Sequence, residues 1–109
     1  LVMQGSQPGT IGKTRLARGT ALDRYGNEYG RYLTDPNTPS NILALEPGKN
    51  RKLHKYIVTK PFKVKTATIA DKYWMVEGEN ILTYGGGKQY FTWRSVKRLV
   101  KFGYLREIV

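Results

Sequence analysis

One segment, residues 22–33, combines arginine, tyrosine and glycine in a way that could bind an anion and an aromatic ring together. Its twelve residues include Arg24 and Arg31, three tyrosines and two glycines. A guanidinium can hold a phosphate through paired hydrogen bonds, and a tyrosine face can stack on a ring. The alternative interpretation, which composition alone favours, is a glycine-kinked pair of strands with half-buried tyrosines.

A second segment, residues 84–90, places a glutamine just after a run of glycines. Gly85, Gly86 and Gly87 are consecutive, and Gln89 follows them next to an aromatic residue. Three glycines lose much backbone entropy when they are ordered, so such a run indicates a close backbone approach or a turn with positive φ. We expect the run to present Gln89 at a cleft. A plain hairpin loop is the alternative.

A third candidate is His54, the single histidine of the chain. Histidine is the side chain suited to proton transfer near neutral pH, although a lone histidine in a strand is more often structural. Because the chain has one His, no Cys and dispersed acidic residues, the sequence predicts neither a metal site nor a thiolate nucleophile.

Short β-favouring runs must position these residues. Strands are predicted at residues 53–59, 62–66, 73–76, 81–84 and 89–91, with a hairpin turn at 77–80. Phe62 and Val64 alternate with lysines, so we expect these two apolar side chains to face the core. Pro61 separates their strand from the one that carries His54.

One helix is predicted near the end of the chain. Apolar residues recur at helical spacing over residues 93–100, and Thr92 can cap the N-terminus. Gly103 stands where a left-handed residue ends a helix, with Leu105 beyond it to pack back. The predicted fold is a small α+β domain, mostly antiparallel sheet with one or two helices. Residues 1–15 are expected to be a flexible lead-in to a single domain at 16–109.

The chain is strongly basic for its length. Its 109 residues include 19 lysines and arginines against 8 acidic residues, which gives a net charge of +11. Such an excess indicates an anionic partner, which could be nucleic acid, an anionic membrane surface or an acidic protein. The longest apolar runs have four residues, so a membrane-spanning helix is excluded.

Taken in order, four segments resemble the tuberculosis necrotizing toxin family, the NAD-hydrolysing C-terminal domains of exported bacterial toxins. The segments are residues 22–33, the strand from His54 to Val64, residues 85–90 and the final helix up to Leu105. Each pattern alone is weak, whereas their order and spacing over residues 16–108 are specific.

The resemblance implies an NAD(P) glycohydrolase whose fold is related to the NAD-binding core of ADP-ribosylating toxins. It gives catalytic positions to Gln89, as the essential residue, and to His54. Arg24 and Tyr32 would hold the dinucleotide, and the other substrate-binding positions are Arg31, Gly86 and Gly87. NAD(P) is the substrate in this interpretation, and neither a cofactor nor a metal ion is implied.

Two positions depart from the family pattern. Leu43 stands where the family has an arginine, and Glu46 stands where it has a proline. The phosphate contact of the missing arginine could come instead from Arg31, Arg51 or Lys52. A longer insert also follows residues 69–72.

The resemblance further implies a domain of a larger exported protein, which a first residue other than Met also suggests. The protein would be secreted or delivered from a cell surface and would deplete NAD(P) in the target-cell cytoplasm, as in contact-dependent growth inhibition. The producing cell would then need an acidic cognate immunity protein. Two other classes of function stay open: a metal-free ribonuclease toxin acting on cellular RNA, and a non-enzymatic binding module.

Overall fold

Antiparallel strands make up most of the computed structural model, which describes residues 5–108. Within that range the chain forms nine strands, one 3₁₀ turn and one short α-helix. In chain order these are β1 (Gly12–Leu16), β2 (Ala21–Tyr25), β3 (Tyr32–Thr34), the 3₁₀ turn (Ser40–Ile42), β4 (Leu53–Val58), β5 (Phe62–Thr68), β6 (Lys72–Val76), β7 (Glu79–Thr83), β8 (Lys88–Phe91), α1 (Val96–Lys101) and β9 (Leu105–Ile108). Seven strands form one sheet in the order β1-β5-β8-β3-β2-β4-β9, and β6 pairs with β7 in a separate hairpin.

One face of the seven-stranded sheet carries the main core. Leu22 and Tyr56 lie directly opposite each other on β2 and β4, and both are almost completely buried. Val96 and Leu99 of α1 are fully buried in the same apolar cluster. Burying a leucine or valine side chain contributes about 1.5–3 kcal/mol, so this side of the sheet, which we call the core face, holds much of the stability.

The predicted strands are confirmed. The run at 53–59 forms β4, the run at 62–66 lies in β5, and residues 89–91 lie in β8. Phe62 and Val64 are buried, as their alternation with lysines predicts. The hairpin turn is shorter than predicted, because Glu77 and Gly78 adopt the positive φ angles of a two-residue turn and β7 begins directly after them.

The final helix is confirmed at its C-terminus and begins later than predicted. Ser95, not Thr92, caps α1, and its side chain accepts the Arg98 N–H at 3.2 Å. Thr92 is fully buried instead, with its hydroxyl 3.0 Å from the carbonyl oxygen of Arg31. That burial removes Thr92 from the helix end, where a capping side chain is needed.

Gly103 ends the helix as predicted. Its φ is 82°, and the Tyr104 N–H donates to the Leu99 carbonyl oxygen at 2.8 Å. This bond closes the helix in the pattern that a left-handed residue makes available. Leu105 beyond it is buried in the main core, so the chain packs back against the sheet.

The later part of the expected lead-in takes part in the sheet. β1 pairs with β5 from Gly12 opposite Thr66 to Leu16 opposite Phe62, and the boundary drawn after residue 15 therefore falls inside a strand. The sequence of β1 hides this role because Leu16 is its one buried residue and charged side chains are typical of edge strands. Residues 1–4 of the expected lead-in lie outside the described residues.

Candidate functional site

Two depressions lie side by side on the sheet face opposite the main core. Side chains directly opposite each other on antiparallel strands point to the same face, and one such row crosses the sheet through Tyr32, Phe91, Lys65 and Lys13. Tyr32 belongs to the first depression, a cleft of about 400 Å³. Phe91 and both lysines belong to the second, of about 660 Å³, which we call the cationic groove.

Gln89 lies on the floor of the cleft. It is directly opposite Thr34 of β3, which is itself opposite Asp23 of β2, and all three residues line the cleft. Gln89 is only 8% exposed, and its Nε2 donates to Ser6 Oγ at 3.0 Å. This hydrogen bond holds the orientation of the amide. The structure thus places Gln89 at a cleft, as the sequence predicts.

The three glycines before β8 allow close packing beside the cleft. A Cβ at Gly85 would overlap the Ile69 carbonyl oxygen, and one at Gly87 would lie 3.0 Å from the Ile42 carbonyl oxygen. Gly86 has a φ of 110°, and its N–H donates to the Ile69 carbonyl at 2.8 Å. The predicted close approach and positive φ are therefore confirmed. Neither Gly86 nor Gly87 is among the residues that line the cleft.

Arg24 is among the residues that line the cleft, but its side chain lies on the core face, because it is directly opposite His54 and two residues along β2 from the buried Leu22. The guanidinium is bound to backbone carbonyls. Its Nε donates to the Asn27 carbonyl oxygen at 2.6 Å, and its Nη1 donates to the Tyr32 carbonyl oxygen at 2.9 Å. A Cβ at Gly30 would overlap the guanidinium, so the glycine makes room for it. Burial lowers the pKa of Arg24. The side chain thus holds the β2–β3 loop and the start of the strand that carries Tyr32.

Aromatic residues form much of the cleft wall. Tyr25, Tyr32 and Trp74 all line it, although sequence reasoning singled out only Tyr32. Trp74 belongs to the β6–β7 hairpin, and its Nε1 donates to the Ala44 carbonyl oxygen at 3.1 Å. The insert after residues 69–72 therefore folds into a hairpin that closes one side of the cleft. For Tyr25, the available signal in the sequence was its position directly after Arg24.

His54 is separated from Gln89. It lies on β4 directly opposite Arg24, and its Nδ1 is 2.8 Å from Glu107 Oε2 on β9. Its ring is 6.4 Å from the ring of Tyr56, the next residue of β4 on the same face. Because that is the core face, His54 does not line the cleft. The structure therefore does not bring together the two residues expected to be catalytic.

Arg31 belongs to the cationic groove. Its Nε donates to the Thr92 carbonyl oxygen at 2.9 Å, and its guanidinium lies 4.5 Å from the centre of the Phe91 ring. The other cations of the groove are Lys13, Arg15, Lys63 and Lys65. Lys13 is directly opposite Lys65, and Arg15 is directly opposite Lys63.

The two positions that depart from the family pattern both line the cleft. Leu43 is buried in a small apolar cluster beside it, and Glu46 pairs with Lys49 at 3.4 Å. Of the residues considered as replacements for the missing arginine, Arg51 lines the cleft. Lys52 is exposed and lies outside the cleft.

Metal ligands are not grouped in this part of the protein. Within residues 5–108, no three His, Asp or Glu side chains are placed to hold a metal ion together. In the same range no helix is both long enough and apolar enough to cross a membrane.

Known proteins show similarity over most of this chain. The sequence model of the family described as "Tuberculosis necrotizing toxin" matches residues 15–108. The "Conidial surface nicotinamide adenine dinucleotide glycohydrolase nadA" of Aspergillus fumigatus is 32% identical over 106 residues. That match covers 90% of this chain and 42% of the fungal protein, so the chain spans less than half of its relative.

The fold is also found in a solved structure. The "Structure of Tse6 in complex with Tsi6" is similar with a TM-score of 0.67 and 21% sequence identity, over 96% of this chain and 77% of that one. This likeness confirms the compact, mostly antiparallel fold with one short helix. Because the family model matches nearly the whole chain, the chain belongs to the tuberculosis necrotizing toxin family.

Proposed function

We propose that this domain is a glycohydrolase that cleaves the bond between nicotinamide and ribose in NAD or NADP. The observation that carries the proposal is Gln89, a buried amide held on the floor of an aromatic-lined cleft. Membership of the family and the name of the fungal relative, a nicotinamide adenine dinucleotide glycohydrolase, support the same substrate. The dinucleotide is consumed, so no further cofactor is needed.

In the proposed reaction the C1′–N bond breaks and its electron pair leaves with nicotinamide, which departs as a neutral molecule. Positive charge then develops on the ribose C1′ and ring oxygen. A water molecule forms the new C1′–O bond and releases a proton to solvent. The products are nicotinamide and ADP-ribose or its 2′-phosphate.

An uncharged amide suits this reaction. The Gln89 Nε2 is engaged with Ser6 Oγ, so its carbonyl oxygen is the group that would accept a hydrogen bond from a ribose hydroxyl or the attacking water. Fixing these groups in advance lowers the entropy cost of the reaction. The aromatic side chains Tyr25, Tyr32 and Trp74 would stack on the substrate rings and keep bulk water away.

The direct test is nicotinamide release. The purified domain is incubated with NAD, with NADP and, in parallel, with total cellular RNA, and the products are separated by chromatography. We expect nicotinamide from at least one dinucleotide and intact RNA. Cleaved RNA without nicotinamide release would contradict the proposal and support the ribonuclease alternative.

We further propose that an acidic immunity protein docks on the cationic groove. The five cations of the groove have no carboxylate partner among residues 5–108, and NAD carries too little charge to need them. Trp93 is 43% exposed there, and exposed tryptophans and arginines are typical binding hot spots. The complex of the structural neighbour Tse6 with Tsi6 supports a protein partner.

Poly-L-glutamate serves as a probe for this surface. The double variant Lys63→Glu, Lys65→Glu should bind it at least about tenfold more weakly and with less dependence on salt. A charge-matched control, Arg18→Glu with Lys101→Glu, alters exposed residues outside the groove and should lose much less. Equal losses in both variants would show that total charge, not the groove, determines binding.

The wider setting is also proposed. The domain would be part of a larger exported protein that is delivered from a cell surface into the cytoplasm of a target cell. Its fold would be related to the NAD-binding core of ADP-ribosylating toxins. The words "conidial surface" in the name of the fungal relative support export. Expression inside a bacterial host should stop growth for the wild type and not for Gln89→Ala, and continued growth with the wild type would contradict this setting.

A further inference from the structure

Arg51 has a buried nitrogen that nothing in the described structure satisfies. Its Nε is the one buried side-chain nitrogen or oxygen within residues 5–108 that lacks a hydrogen-bond partner. The residue lies in the loop before β4 and lines the cleft. A buried, charged donor without a partner is unfavourable, so the position is explained if a bound molecule supplies the acceptor.

The two acidic residues that line the cleft with Arg51 already have cationic partners. Asp23 on the cleft floor accepts from Lys55 Nζ at 3.2 Å through both carboxylate oxygens. Glu46 at the rim is 3.4 Å from Lys49 Nζ. Neither carboxylate forms an ion pair with Arg51, whose charge therefore stays available to an anion that enters the cleft.

The other cations of the cleft are engaged. The Arg24 side chain lies on the core face, and its guanidinium donates to two backbone carbonyls. The Lys72 Nζ lies 3.8 Å from the centre of the Trp74 ring, which partly satisfies its charge. Arg51 is therefore the cation of the cleft that is best prepared to bind a ligand.

We propose that Arg51 binds the diphosphate of the dinucleotide. A guanidinium presents several donors in a plane and holds phosphate oxygens in pairs, which an ammonium does not. Tyr25 and Trp74 line the same cleft and can receive the rings on either side of a diphosphate. The inference rests on the proposed function, because it assigns the part of that substrate that Arg51 would contact.

This role predicts a particular kinetic effect. The diphosphate is not part of the bond that breaks, and its charge does not change during the reaction. A contact of equal strength in the ground state and the transition state affects KM and leaves kcat unchanged. Arg51 is thus a binding residue, and Gln89 is the proposed catalytic residue.

Calorimetric titration tests the assignment with two probes in a Gln89→Ala background, which prevents turnover. ADP-ribose contains the diphosphate, and nicotinamide riboside contains no phosphate. Arg51→Ala should weaken ADP-ribose binding about tenfold or more and leave nicotinamide riboside binding unchanged, because only the first probe has the anion. Arg51→Lys should lose less, and the exposed neighbour variant Lys52→Ala should bind both probes like the parent protein.

The possible outcomes separate this inference from the proposed function. Unchanged ADP-ribose affinity in Arg51→Ala, or an equal loss for both probes, would overturn the diphosphate contact even if the wild type releases nicotinamide. Inorganic pyrophosphate is the third probe. Suppose that the wild type releases no nicotinamide and still binds pyrophosphate more tightly than Arg51→Ala does. That result would support Arg51 as an anion site and overturn the dinucleotide as substrate. In the active enzyme, a raised KM for NAD with unchanged kcat supports the full inference.

Discussion

The cleft and the cationic groove share one sheet face but use their charged residues differently. In the cleft, Asp23 is buried and bonded to Lys55, and Glu46 is paired with Lys49. In the groove, like charges are directly opposite each other, as Lys13 and Lys65 are, without a carboxylate partner among the described residues.

The difference fits two kinds of binding. A site that holds a substrate gains from groups fixed before the substrate arrives, because less order must then be created on binding. A surface that attracts a charged partner gains from exposed cations, whose field acts at a distance and speeds association. The boundary is the contact between Tyr32 of the cleft and Phe91 of the groove, whose ring centres are 4.9 Å apart.

The largest expected effect is on activity at the cleft floor. Gln89→Ala should lower the rate of nicotinamide release by about 100-fold or more, because a fixed polar group aimed at the reacting centre is lost. Lys88→Ala on the same strand is the matched control, since Lys88 is exposed and lies outside the cleft. Equal rates of nicotinamide release for the two variants would show that Gln89 has no catalytic role.

The next effect is on stability, and it compares Arg24, whose side chain lies on the core face, with an arginine of the groove. Arg24→Ala should lower the free energy of unfolding by about 1–3 kcal/mol, because two backbone carbonyls lose a charged donor. Arg15→Ala removes an exposed groove residue and should change it by less than about 0.5 kcal/mol. Denaturant unfolding measures both, and equal losses would mean that the Arg24 hydrogen bonds contribute little.

A smaller effect is expected at Tyr90, which points to the core face between Gln89 and Phe91. Its hydroxyl donates to Asp35 Oδ1 at 2.6 Å, and Tyr90→Phe should lower the free energy of unfolding by about 1–2 kcal/mol. Nicotinamide release should change little, because Tyr90 does not line the cleft. A large loss of activity with unchanged stability would contradict the separation of the two faces.

The same variant has a pH signature. Burial, followed by the hydrogen bond to Asp35, raises the pKa of Tyr90 well above its usual value of 10.0. Above about pH 10 the unfolded chain loses the tyrosine proton while the folded chain keeps it. The contribution of Tyr90 to the free energy of unfolding is therefore complete below that pH and falls as the pH rises. The stability gap between wild type and Tyr90→Phe should therefore shrink between about pH 7 and about pH 10.5, and a constant or growing gap would be inconsistent with the raised pKa.

The smallest expected effect is a gain in stability in the groove. Lys13→Glu turns a like-charged pair with Lys65 into an opposite pair and should raise the free energy of unfolding by about 0.2–1 kcal/mol. Lys13→Gln, which removes the repulsion alone, should gain less. The gain should decline at high salt, and a destabilised Lys13→Glu would show that the opposed lysines do not repel.

Local patterns in the sequence predicted a large part of the fold. The alternation at Phe62 and Val64, the glycine at position 103 and the position of Gln89 after three glycines all follow from the backbone needs of neighbouring residues. Ser95 was missed as the helix cap because Thr92 offers the same chemistry three residues earlier.

The rest of the candidate site depends on contacts between distant residues. No local pattern shows that Arg24 bonds to the Tyr32 carbonyl, or that Trp74 brings a hairpin against Ala44. The face on which His54 lies follows from strand pairing with β2 and β9, which the sequence alone does not reveal. Sequence reasoning therefore gave His54 a catalytic role that its position in the sheet does not support, and it missed Trp74.

Each depression contains one of the two tryptophans, which gives a direct test of whether the cleft or the groove takes the dinucleotide. Trp93→Phe keeps Trp74 in the cleft as the single tryptophan, and Trp74→Phe keeps Trp93 in the groove. We predict that ADP-ribose changes the tryptophan fluorescence of Trp93→Phe in a saturable way and leaves that of Trp74→Phe unchanged. A saturable change confined to Trp74→Phe would place the ligand in the groove and contradict the account.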